Sequence, residues 1–130
     1  MPAISGKAVG SQNVAKAGVN LETKEDSLAV GATFITNQLI TAGMPKLSFQ
    51  VGCDQVHSVQ VVCQVAYRRT AAGIDNYEFL TVLPVQLASA NAPLFIEINA
   101  PAQAMRMQIT NPGAAPGVAT NITAVLLASG

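Results

Sequence analysis

Three residue types able to do chemistry fall within five positions of one another: Cys53, Asp54 and His57. A thiol beside an imidazole is the arrangement of a nucleophile with its base, and a carboxylate can orient the imidazole. His57 is the only histidine in the chain. No signature of a cysteine enzyme family surrounds Cys53. Two cysteines, Cys53 and Cys63, with one histidine also fall short of the four ligands a structural zinc site needs. A bridge between the two is conceivable if their strands are neighbours, but small unpaired cysteines pack as buried apolar groups and a reducing cytoplasm disfavours it. The carboxylates Asp75, Glu78 and Glu97 are dispersed, and nothing selects two of them as a glycosidase-type pair. The glycines from Gly113 to Gly117 lack the Lys-Ser/Thr that completes a phosphate-cradling loop. Asn121-Ile122-Thr123 matches a glycosylation acceptor, but inside a strand and with no secretory signal it is read as accidental. The expectation is a non-enzymatic protein with no catalytic residue, no cofactor and no metal.

Composition narrows the classes further. A chain of 130 residues has room for one domain large enough to bury its own core. Half the residues are apolar, with two Tyr, four Phe and no Trp, so the core rests on Val, Leu, Ile, Ala and Met. Charged residues make up 11% of the chain, against about a quarter in a typical soluble protein, and seven basic residues balance seven acidic ones. A binder of phosphate backbones needs a basic stripe, and the only adjacent basic pair is Arg68-Arg69, so no nucleic-acid partner is expected. No apolar run approaches the ~20 residues that span a bilayer, and Met1–Gly6 does not open a signal peptide. No membrane partner is expected, and synthesis in a cytoplasm is.

Those residues must be positioned by short alternating segments. Apolar side chains recur every second residue over Leu28–Phe34, Leu47–Val51, Val59–Tyr67, Tyr77–Leu83, Leu94–Ile98, Met105–Ile109 and Asn121–Ala128. Turn-forming clusters separate them, notably 71–76 and the Asn-Pro-Gly run from Asn111. Pro84 cannot donate to a ladder, which predicts an edge or a bend there. The fold class is therefore all-β: a single β-sandwich of about seven or eight antiparallel strands, with a jelly roll of eight strands suiting the count. Ahead of it, residues 1–26 show no sustained period and predict an extended N-terminal arm, leaving 27–130 as the sandwich domain. The arm cannot build a core alone, so Ile4, Val9, Val14, Val19 and Leu21 are expected to anchor it on a partner.

Three segments carry a likeness to a family: Leu94-Phe95-Ile96-Glu97-Ile98-Asn99-Ala100-Pro101, Met105-Arg106-Met107-Gln108-Ile109-Thr110-Asn111 and Ala119-Thr120-Asn121-Ile122-Thr123-Ala124-Val125-Leu126. Together they resemble the closing half of small β-sandwich virion proteins of tailed bacteriophages, the capsid decoration or cement proteins among them. The likeness implies a virion protein that stabilises a shell as a homo-oligomer, with a trimer favoured and the major capsid protein as partner. Two other readings stay open. One is a receptor- or glycan-binding head of a phage tail fibre, which needs side chains such as Tyr67, Tyr77 and His57 grouped at loop tips. The other is a capsid or coat protein, for which seven basic residues are few.

Overall fold

In the computed structural model the described residues are 18–70, 76–89, 92–113, 115 and 117–130. They form ten strands: β1 (Val19–Leu28), β2 (Thr33–Ile35), β3 (Leu39–Ile40), β4 (Lys46–Gly52), β5 (Val59–Arg69), β6 (Tyr77–Thr81), β7 (Gln86–Ala88), β8 (Leu94–Asn99), β9 (Ala104–Thr110) and β10 (Ala119–Ser129). One sheet has the order β1-β10-β4-β8. In the other, β9 and β5 lie side by side, flanked by β2 and β3 on one edge and β6 and β7 on the other. All pairings are antiparallel.

The ten strands occupy eight ladder positions. Thr36 carries β2 towards β3 along the same neighbour: its amide donates to the Met107 carbonyl (2.9 Å) and its hydroxyl accepts from the Met107 amide (3.0 Å). Between β6 and β7 the Val82 amide donates to the Cys63 carbonyl of β5 (3.1 Å). With these two interrupted strands each counted once, the chain passes between sheets at every connection except the hairpin from β5 to β6. That is the path of a jelly roll, two Greek keys closed on one core.

Alternation explains which side chains enter that core. Val59, Val61, Cys63 and Val65 of β5 are fully buried, as are Met105, Met107 and Ile109 of β9. They face Leu47, Phe49 and Val51 of β4 and Ile122, Ala124 and Leu126 of β10, none more than 1% exposed. Phe49 is the one aromatic side chain among the fully buried residues, so aliphatic burial carries the fold, at about 1.5–3 kcal/mol for each large side chain.

The expected arm of residues 1–26 is corrected over its last part. Val19–Leu28 is a strand, paired along its length with β10 from Val19↔Ala128 to Leu28↔Ala119. Val19 and Leu21 pack against the core of their own chain, while Asn20, Glu22 and Lys24 face solvent. The pattern escapes notice because Thr23 and Glu25 occupy inward-phase positions where apolar residues would make it plain. Residues 1–17, with Ile4, Val9 and Val14, lie outside the described residues. The expected strand over Leu28–Phe34 is also corrected: Leu28 ends β1, the chain turns through Gly31 (φ 80°), and β2 starts at Thr33. The expected strand Tyr77–Leu83 stops at Thr81, and the bend expected at Pro84 separates it from β7.

Asn111, fully buried, latches the β1–β2 turn to the loop before β10. Its Nδ2 donates to the carbonyls of Leu28 (3.0 Å) and Gly117 (3.1 Å), and its Oδ1 accepts from the Gly113 amide (3.0 Å). Its own backbone carbonyl accepts from Gly31 and its amide donates to Ala32. Removing the side chain strands the buried Leu28 carbonyl, at about 1–3 kcal/mol, and releases the part-buried bonds to Gly117 and Gly113. Asn111→Ala should therefore lower stability by about 3 kcal/mol in urea unfolding, and Asn111→Asp by at least as much, since a carboxylate cannot donate to either carbonyl.

Candidate functional site

The loop between β4 and β5 brings together the residues whose spacing first suggested chemistry. Asp54 lies at its start and acts as a hub. Oδ1 accepts from the amides of Val56 (2.8 Å) and His57 (2.7 Å), and Oδ2 accepts from the amide (2.7 Å) and hydroxyl (3.2 Å) of Thr120. His57 Nδ1 stands 2.9 Å from Oδ2. His57 is itself buried. Burial of the carboxyl works to raise its pKa, but the amides of Thr120, Val56 and His57 and the His57 ring outweigh it and hold Asp54 well below the usual carboxylate range.

Cys53 does not complete a catalytic arrangement with this pair. Its Sγ is directed to the Thr120 carbonyl, at 3.8 Å. Burial pushes its pKa up, the Asp54 amide opposes this, and the Asp54 charge adds to the rise, so the thiol stays protonated at neutral pH. Asp54 instead clasps the loop to β10 where that strand is irregular: Asn121, next to Thr120, has φ 53°, a left-handed conformation that asparagine tolerates better than most residues. Cys63 lies in the core with its pKa pushed up to about 12 by burial, and both cysteines are free thiols.

Among the described residues the other expected polar groups do not converge on a cleft; Asp75 lies outside the described residues. Arg68 and Glu78 form an exposed bidentate pair between β5 and β6, at 2.8 and 3.3 Å. Glu97 faces outward on β8, whereas Arg106 of the opposite sheet donates to Gln64 Oε1 (2.8 Å) and lies over the Phe79 ring, 4.1 Å from its centroid. Tyr67 and Tyr77 lie at the far end of β5 from His57, about 30 Å away at strand spacing, so the three do not share a loop tip. Among the described residues no group of three or more His, Cys, Asp or Glu is placed to hold a metal ion.

The outer faces of the two sheets present a different kind of site. On the four-stranded sheet, Leu94, Ile96 and Ile98 of β8 pack against the core, and Phe95 stands on the opposite face with 61% of its surface exposed. Val125 and Leu127 of β10 and Gln50 of β4 share that face with it. Phe95 forms a ridge between two shallow hollows. One, of about 320 Å³, is lined by residues that include Gly18, Ser48, Glu97 and Leu127; the other, of about 270 Å³, by residues that include Gln50, Pro93, Thr123 and Val125. Ser48 lies in the first hollow, its hydroxyl buried and without a hydrogen-bond partner. On the six-stranded sheet, Ile35, Ile40 and Leu87 are each about half exposed, among Thr33, Gln60, Gln108 and Thr110. Neither Phe95 nor this second patch was singled out from the sequence. The signal for Phe95 was an aromatic in the same strand phase as Glu97, where a solvent-facing residue is normally polar.

No family model matches the chain, and no curated protein matches it. Among solved structures it is similar to one described as "Bacillus endospore appendages form a novel family of disulfide-linked pili", at 15% identity and TM-score 0.46, over 98% of this chain and 97% of that one. It is also similar to a chain of infectious bursal disease virus, Gx strain, at 14% identity and TM-score 0.39, over 100% of this chain and 38% of that one. The chain thus spans well under half the length of the viral protein.

The Asp54 clasp carries a pH signature. Because its native pKa lies below that of an unfolded aspartate (about 3.9), its contribution is complete above that pH and is lost as pH falls through the lower native value. Asp54→Ala should cost about 2–4 kcal/mol at pH 7, read by urea unfolding, and the gap to wild type should shrink as pH drops below about 4. A gap unchanged between pH 7 and pH 2 would rule out an ionised clasp.

Proposed function

We propose that this chain is a non-enzymatic structural subunit that associates with its own copies and with a larger shell, as a decoration protein does on a virion. The observation that carries this reading is the exposed Phe95 face: a large aromatic, flanked by Val125 and Leu127, held out to solvent by a strand whose other face packs, partly buried, against the core. Exposed contiguous apolar surface on a small soluble domain marks contact with another macromolecule. The chain as a whole is neutral, which leaves little long-range repulsion between copies. Asp54 and His57, which could have argued for catalysis, are engaged in the clasp of the β4–β5 loop on β10.

In this reading the copies form a closed ring, with three favoured, and residues 1–17 reach beyond the sandwich, with Ile4, Val9 and Val14 as anchors on a partner. Val19 and Leu21 serve instead to seat the start of β1. The shell partner is a major capsid protein, and the place of action is the virion. This finer assignment draws on the resemblance of Leu94–Leu126 to cement proteins.

Sedimentation equilibrium or native mass spectrometry of the full chain tests it. The expected result is a species of three times 13.4 kDa at micromolar concentration. A chain that stays monomeric and fails to co-sediment with capsid shells would refute the proposal.

A further inference from the structure

We infer that the hollows on either side of Phe95 receive the N-terminal segment, residues 1–17, of a neighbouring copy. This rests on the assembly reading above and names the surface through which it works.

Gly18 and Val19 line the larger hollow, so residues 1–17 join the sandwich at the edge of the exposed face. The chain is tightly held there: a Cβ on Gly18 would come within 2.8 Å of the Ala128 carbonyl oxygen. In a closed ring, arms that start beside one copy's Phe95 face are near the equivalent faces of the adjacent copies.

Seventeen extended residues span up to about 56 Å. The four-stranded sheet is only about 15 Å wide, three strand spacings, and its longest strand about 36 Å. The arm is longer than any straight path across its own face, and a route onto that face would also require a reversal next to Gly18. The surplus length suits a neighbour.

Residues 1–17 carry Lys7 and Lys16 and no acidic residue. The rest of the chain keeps five of the seven basic residues and all seven acidic ones, a net charge of −2 against +2 for the arm's side chains. At the docking surface itself charge is balanced, with Glu97 and Lys46 both lining the first hollow and Glu22 and Lys24 both facing outward on β1, so net charge favours approach of the segment and apolar contact fixes its seat. Ile4, Val9 and Val14, spaced by five among Ala, Gly and Ser, offer small apolar side chains suited to shallow hollows beside an aromatic ridge.

Photo-crosslinking within the full-length protein decides the matter. A benzophenone amino acid replaces Val9, and labelled chains of normal mass are mixed with isotopically heavy ones carrying no label. The inference expects crosslinks from light to heavy chains that map to residues 93–97 and 123–129. Phe95→Asp in the heavy chain should lower their yield about tenfold, the loss of one anchoring contact, while its far-ultraviolet circular dichroism spectrum stays unchanged because the side chain lies outside the core. Crosslinks between chains that map to the six-stranded sheet would overturn this docking surface and leave the assembly reading standing. Crosslinks confined to single chains, on a protein that is nevertheless oligomeric, would do the same. Single-chain crosslinks on a monomer would overturn both.

Discussion

A jelly roll can exist only if the chain's backbone polar groups are satisfied wherever it leaves one sheet for the other, because those crossings lie against the core and partly away from water. In this protein two side chains carry much of that requirement. Asn111 ties the β1–β2 crossing to the loop before β10 by donating to two carbonyls and accepting from one amide. Asp54 ties the β4–β5 crossing to the start of β10 by accepting from Thr120, Val56 and His57. Both act on the entry to β10, the strand that lies between β1 and β4. With that entry fixed, the aliphatic core is enclosed and the outward residues of β10 and β8 are held in register.

The fixed register is what gives the exposed face its character. A strand that buries Leu94, Ile96 and Ile98 must present Phe95 and Glu97 on its other side. Val125 and Leu127 follow from the same rule applied to β10, whose Ala124, Leu126 and Ala128 face the core. The apolar patch is therefore not a failure of packing. It is the second face of strands whose first face packs on the core.

Much of the fold was legible in the sequence because β4, β5, β8, β9 and β10 alternate clearly, with β-branched or aliphatic residues on the inward phase. β1 was hidden by Thr23 and Glu25 at inward positions and by the charges between them; tertiary pairing with β10 overrides its weak pattern. β3 and β7, with two and three residues, are too short to show a period and exist because β9 and β5 offer them partners. The chemical spacing of Cys53, Asp54 and His57 was visible, but its purpose was not. Whether an Asp-x-x-His run makes a catalytic dyad or a loop clasp depends on Thr120, 66 positions from Asp54 in the chain. The Phe95 face was legible in principle, as an aromatic out of phase with its strand, but only knowledge of the inward phase of β8 gives that residue its meaning.

Hydroxyl-radical footprinting of the full chain over a dilution series tests the central claim, that the Phe95 face is a contact between proteins. The account predicts slow oxidation of Phe95 at micromolar concentration, rising on dilution as copies separate. Tyr67, half exposed and outside that face, should oxidise at one rate throughout. Rapid oxidation of Phe95 at every concentration, and equally rapid oxidation with capsid shells present, would contradict it.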